Sequence, residues 1–197
     1  MRWRNVKRKE YYLPRSDPSL DKITLDVGAG TSGLGTINVD VRRLPGIDIL
    51  CDARHLPFKD GTVDHVFLRD VIEHFKYDDA RKLLLESGRV LRKGGGLDIW
   101  TPNFQSIGFL RAWIFGSSGD PQGRSLHPPL TGNQDYPENV HVSQWSLNHI
   151  TKYIRDSSLR VVEARTVGEY KGKLRIVGLF TSIFKNRGGI IYVRAAR

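Results

Sequence analysis

Apolar, β-branched positions in this chain come in short runs, and each run breaks off at a glycine, an acid or a turn-forming residue. Ile23-Thr24-Leu25-Asp26-Val27 ends at Gly28-Ala29-Gly30, the pattern of a buried strand feeding a tight loop. Ile37-Asn38-Val39-Asp40-Val41 alternates as a second strand, and residues 47–50, 64–68 and 96–101 supply three more. Between the last two the apolar period lengthens. Ala80, Leu83, Leu84, Ser87 and Leu91 fall on one stripe, which predicts a helix over 77–93. Asp78 and Asp79 at its start and Arg89, Arg92 and Lys93 at its end suit the helix dipole, and Gly94-Gly95-Gly96 is expected to stop it. Ser146 is expected to cap a second helix that carries Leu147, Ile150 and Ile154 on one side, and strands at 160–166 and 190–194 finish the chain.

Strands alternating with helices predict an α/β protein, and such sheets bind ligands beyond the carboxyl ends of their strands, where strand order reverses. At 197 residues the chain reads as a basic N-terminal arm, 1–22, followed by one domain, 23–197. Residues 104–142 form an irregular insertion after the fifth strand, rich in Gly, Pro and Ser beyond a helix that starts near Phe104, and read as a lid or substrate loop. With one cysteine, neither a disulfide framework nor a multi-thiolate zinc site is expected. No His, Cys and carboxylate residues have a recognisable metal spacing, so no metal is expected either. No apolar run is long enough for a secretory signal or a membrane span, and the expected location is cytoplasmic.

Charge changes the picture at the ends. The net charge is +10, but residues 1–22 carry seven Lys/Arg against three acids and residues 151–197 eleven against three, which leaves the middle slightly acidic. Such asymmetry is either a solubility surface or an attraction to anionic partners, nucleic acid among them. The apolar stretch within 171–187, flanked by cations, is either core or dimer face, or a contact with an anionic membrane.

The chemistry concentrates where the first two strands end. Gly28 and Gly30 let the backbone approach a ligand, and Asp40 at the tip of the second strand suits a bidentate hydrogen bond to two ribose hydroxyls. Gly28, Gly30 and Gly33 satisfy the dinucleotide pattern G-x-G-x-x-G, yet Asp40 follows too soon for a full helix to intervene. A short crossover offers no long helix N-terminus to a pyrophosphate, so a ligand with one nucleoside and no phosphate fits better. Asp52, after the third strand, is placed either to accept from an adenine amino group or to form an Asx turn.

Five segments in order carry a family resemblance: Leu25–Gly30, Val39-Asp40-Val41, the stretch Asp52-Ala53-Arg54-His55-Leu56-Pro57-Phe58, Val71-Ile72-Glu73-His74, and Arg89-Val90-Leu91-Arg92-Lys93-Gly94-Gly95. Together they resemble the class I S-adenosylmethionine-dependent methyltransferases. The short crossover and the segment 132–141 are similar to a small group of methyltransferases found with surface-polysaccharide genes. The resemblance implies a Rossmann-like, mostly parallel seven-stranded sheet flanked by helices, with a shortened first crossover. It implies S-adenosylmethionine as cofactor, with Asp26, Gly28, Ala29 and Gly30 at its methionine and ribose end. Asp40, with Val41 beside it, would hold the ribose, Asp52 and Ala53 the adenine, and the backbone of Leu68 and Arg69 would flank the sulfonium.

Methyl transfer to a hydroxyl needs positioning and a base. His141, just past the insertion, and His74, placed at the start of a helix, are the candidate bases, and Tyr136 and Asn139 the candidate acceptor contacts. Leu68-Arg69-Asp70-Val71 stands where amine methyltransferases of bases carry an Asn/Asp-Pro-Pro-aromatic motif, and Cys51 lies after the wrong strand for a pyrimidine nucleophile. A small-molecule, sugar or lipid-linked sugar hydroxyl remains as acceptor. The alternatives are an RNA-modifying enzyme that uses the basic arm with Trp3, Tyr11 and Tyr12 as stacking groups, and a nucleoside-binding domain without turnover.

Overall fold

Seven strands pair into one sheet in the order β3-β2-β1-β4-β5-β7-β6, formed by Thr24–Val27 (β1), Ile37–Asp40 (β2), Ile49–Leu50 (β3), Val63–Arg69 (β4), Leu91–Pro102 (β5), Arg160–Val167 (β6) and Ile190–Ala196 (β7). The computed structural model describes residues 22–31, 33–106, 137, 139–167 and 189–197. The arm before Lys22, nearly all of the expected lid including Tyr136, and the stretch 171–187 lie outside the described residues. Strands β1 to β5 pair in parallel, whereas β7 runs antiparallel to β5 and β6. The sheet is thus the mostly parallel, Rossmann-like one expected. No described helix is long and apolar enough to cross a membrane.

Two helices and a single 3-10 turn are described: α1, Tyr77–Val90; α2, Leu147–Asp156; and the turn Ile72–His74. Ala80, Leu83, Leu84, Ser87 and Val90 of α1 are buried against the sheet. Ser146 caps α2 by accepting from the His149 N–H at 3.2 Å, and Ile150 and Ile154 are its buried face. One continuous core joins Leu25, Val27, Val66, Leu68, Leu83, Leu97, Ile99, Ile150 and Val193. Removing that much apolar surface from water is the main favourable contribution to folding.

The structure corrects the sequence reading at the end of α1. The helix stops at Val90, three residues before the expected end, and Leu91 is already extended (φ −63°, ψ 135°). Leu91 pairs with Val63, and the pairing then jumps to His65 opposite Gly96. The glycine run therefore accommodates an irregularity inside β5 rather than terminating the helix. The third strand is also shorter than expected, because Ile47 donates to the Leu44 carbonyl in a turn.

The shortened first crossover is as expected, with no helix among its described residues. It lies so close to β1 that a Cβ on Gly35 would sit 2.6 Å from both the Asp26 amide nitrogen and the Ile37 carbonyl oxygen. Backbone cannot yield as a side chain does, so Gly35→Ala is expected to cost about 1–3 kcal/mol. Thermal melts would read this as a fall of roughly 2–12 °C. An unchanged melting temperature would show that the crossover adjusts freely.

Candidate active site

Strand order reverses between β1 and β4, and the chain segments leaving these two strands meet at the crevice such sheets use for ligands. The glycine loop after β1 is strapped to the tip of β2. Gly28 and Ala29 donate their N–H groups to the Val39 carbonyl (2.8 and 3.1 Å), and Gly30 donates to Asp40 Oδ2 at 3.0 Å. Gly28 has φ +70°, and a Cβ there would lie 2.6 Å from Cγ2 of Val71. Only glycine meets both conditions. The loop is consequently packed onto the residue that leads into the Ile72–His74 turn.

Asp40 is 4% exposed, and its Oδ1 accepts from the Arg42 backbone N–H (2.9 Å) and Arg42 Nε (3.2 Å). Burial pushes its carboxyl upward, but the hydrogen bonds from Arg42 and Gly30 outweigh burial and hold it below the ordinary carboxylate range. It is an acceptor-only group at neutral pH. Asp26 lies fully buried behind the loop. Its Oδ2 accepts from the Leu34 N–H at 2.8 Å and from the Arg69 guanidinium, while Oδ1 is buried with no hydrogen-bond partner among the described residues. Burial raises its carboxyl above the usual range despite Arg69. The residue organises the glycine loop and retains one unsatisfied acceptor.

The other expected cofactor residues divide. Asp52 accepts from the Arg54 backbone N–H at 2.9 Å in an Asx-type turn and pairs with its guanidinium, which also reaches Asp79 at 2.9 Å. Ala53 is half-buried against the core, whereas Val41 is 60% exposed beside Asp40. Leu68 is wholly buried, and the Arg69 side chain turns to Asp26. Cys51 is half-buried, and burial, reinforced by Asp52 and Asp40, pushes its thiol up to about 11. It stays a neutral thiol rather than a nucleophile.

The structure gathers a second group beyond β4. His74 ends the 3-10 turn instead of starting a helix, and its ring lies 5.0 Å from that of His141. Beside them lies Glu73, which sequence reasoning did not single out. Glu73 is 2% exposed, its Oε2 accepts from Thr101 Oγ1 at 2.9 Å, and its Oε1 has no hydrogen-bond partner among the described residues. His141 Nε2 stands 4.0 Å from that oxygen. Burial first, and the nearby Asp70 carboxylate second, push the Glu73 carboxyl well above its usual range. Asp70 itself has φ +53°, a left-handed conformation that places a bend between β4 and the turn.

The backbone builds this juxtaposition. Val142 and Ser143 both donate their N–H groups to the Glu73 carbonyl (2.9 and 3.1 Å), which ties the segment carrying Asn139 and His141 to the turn. A small cavity of about 10 Å³ adjoins the cluster, lined by Glu73 and His141 together with Phe104, Ser143 and Trp145 among others. The signal available in the sequence was the Glu-His pair closely following strand four, with His141 one of three histidines far downstream.

Comparison with known proteins agrees with this architecture. Residues 36–98 match the sequence profile of a family described as a methyltransferase domain. An uncharacterised protein of Methanocaldococcus jannaschii is 24% identical over 94% of this chain and 83% of its own length. Among solved structures, a possible histamine N-methyltransferase of Thermotoga maritima superposes with a TM-score of 0.59 at 17% identity, covering 95% of this chain and 85% of that one. An S-adenosylmethionine-dependent methyltransferase of Archaeoglobus fulgidus gives 0.60 at 14% identity over 89% of this chain and 86% of that one. The structural likeness establishes the fold that these methyltransferases share.

Proposed function

We propose that this chain transfers the methyl group of S-adenosylmethionine to a hydroxyl of a small-molecule or lipid-linked sugar acceptor. The observation that carries the reading is the contact of the glycine loop with Val71. It sets the Asp40 side of the crevice next to the turn that bears Glu73 and His74. The residues present fit the cofactor: an ionised carboxylate at the β2 tip, a bare Cα at Gly28, and a buried, unsatisfied oxygen on Asp26.

When bound, S-adenosylmethionine supplies a methyl group already activated on a positively charged sulfur, so the protein's task is mainly alignment. Asp40 accepts from the two ribose hydroxyls as Arg42, a quarter exposed, gives way. Asp52 and Ala53 border the adenine side beyond β3, Gly28 to Gly30 admit the methionine end, and Leu68 and Arg69 offer backbone groups near the sulfur. Tyr136 and Asn139 are assigned to the acceptor. Activation of its hydroxyl falls to Glu73, His74 and His141. Oxygen is favoured over a pyrimidine carbon as acceptor because Cys51 is held as a neutral thiol.

Calorimetric titration with S-adenosylmethionine, followed by transfer of labelled methyl into fractionated glycan, lipid, RNA and protein extracts, tests the reading. Label in glycan or lipid is expected. Label in RNA alone would transfer the assignment to the basic arm, and binding without label in any fraction would indicate a ligand-binding domain without turnover. His141→Ala is expected to lower kcat by about 100-fold or more with cofactor affinity unchanged, the usual scale for losing a proton-handling side chain.

A further inference from the structure

We propose that Glu73, His74 and His141 form a binding site for a divalent transition-metal ion, open on the side where the acceptor would sit. One donor atom from each residue lies within 4.8 Å of the others. Two donors bound at about 2.1 Å to one ion stand roughly 3–4 Å apart, so a small inward movement completes the set. Two imidazoles and one carboxylate suit zinc, manganese, iron or cobalt rather than magnesium or calcium, which prefer all-oxygen shells.

A second, independent observation points the same way. Glu73 is 2% exposed and its Oε1 has no hydrogen-bond partner among the described residues, although Oε2 is satisfied by Thr101. A buried carboxyl oxygen without a partner is costly, and a cation bound in place of the proton would resolve that cost directly. Thr101 fixes the plane of the carboxylate with Oε1 left over.

The surroundings orient the histidine in the way metal sites do. His74 Nδ1 lies 3.1 Å from the Val140 carbonyl oxygen. A carbonyl only accepts, so Nδ1 donates here, and a main-chain carbonyl is a common partner for the second ring nitrogen of a ligating imidazole. The Val142 and Ser143 amides hold the His141 segment against the turn without help from an ion, so the site is largely preformed. Three protein donors leave positions open, as in catalytic rather than structural centres. The adjoining cavity has about the room of one water-sized group, such as a water or a hydroxyl.

The identity of the open face as the acceptor side rests on the methyltransferase reading, but ion binding does not. The full chain, stripped with EDTA and dialysed, is titrated calorimetrically with ZnCl2, MnCl2 and MgCl2 in turn, and separately with S-adenosylmethionine. One saturable site for Zn2+ or Mn2+ is expected, with Mg2+ at least 10-fold weaker, and with Glu73→Gln and His141→Ala each weakening the ion by 10-fold or more while cofactor affinity persists. No saturable ion binding, or binding untouched by both substitutions, overturns the proposal. If the variants fail to fold, Co2+ added to the unaltered chain decides: visible d–d bands of a histidine-ligated site support it, and the spectrum of aqueous Co2+ overturns it. Ion binding without cofactor binding would sink only the methyltransferase reading, and the reverse result would sink only the metal site.

Discussion

Asp40→Ala is expected to weaken S-adenosylmethionine binding by about 100- to 10,000-fold, because two hydrogen bonds to a charged group contribute roughly 1.5–3 kcal/mol each. The carboxylate stands at the parallel tip of β2, strapped to the glycine loop through Gly30 and kept ionised by Arg42. Its loss would remove the proposed ribose acceptor and also release the loop from the bond that Gly30 donates. Asp40→Asn separates these effects, since the amide oxygen can still accept from Gly30 but cannot accept at both positions. The alanine variant should therefore bind more weakly than the asparagine variant, and both more weakly than the unaltered chain, in a calorimetric titration with S-adenosylmethionine or S-adenosylhomocysteine. Equal affinities in all three would remove Asp40 from the site and with it the central support of the proposed function.

Asp98→Ala is expected to destabilise the protein by about 3–5 kcal/mol, the range for breaking a buried charged network by removing one partner. Asp98 is fully buried in β5, with His65 Nε2 at 3.1 Å, the Tyr192 hydroxyl donating at 3.0 Å and Arg194 Nε donating at 2.9 Å. Arg194 sits directly opposite Asp98 across the antiparallel β5–β7 ladder, and its side chain is 38% exposed. That partial exposure places the expected cost toward the lower end. Thermal or urea melts read the change, and a loss under about 1 kcal/mol would show that water takes over the vacated bonds.

The same group sets a pH dependence. Burial pushes the Asp98 carboxyl up, but hydrogen bonds from His65 and Arg194 more than compensate and hold it below its usual value. A carboxyl with a depressed folded-state value stabilises fully above its unfolded value of about 3.9, and that contribution is lost as pH falls through the folded-state value. The acid limb of the stability profile below about pH 4 should therefore flatten in Asp98→Asn. The Tyr192 phenol is raised, by burial and by Asp98, and remains a neutral donor across this window.

How much could be read from the chain differs by element. β1, β2, β4 and the stripe on α1 follow from local periodicity, and each lies where its own residues dictate. The end of α1 does not, because the competition is won by a tertiary contact: Leu91 pairs with Val63 across the sheet, which overrides helix propensity in Arg92 and Lys93. Asp98 is legible as an acid inside an apolar run, but its three partners come from β4 and β7 and have no local mark. Glu73 and His141 are distant in sequence and meet only because the backbone amides of Val142 and Ser143 dock on the Glu73 carbonyl. The expectation of no metal spacing was a statement about neighbours along the chain, and folding supplied neighbours of another kind.

Val71 has Gly28 against its side chain and opens onto the turn that bears Glu73. A displacement on either flank of this residue would be felt on the other, so on the proposed reading a molecule in the glycine loop and one at the histidines would be coupled. Thermodynamic linkage then requires reciprocity: whatever factor the first guest imposes on the affinity of the second, the second returns in equal measure.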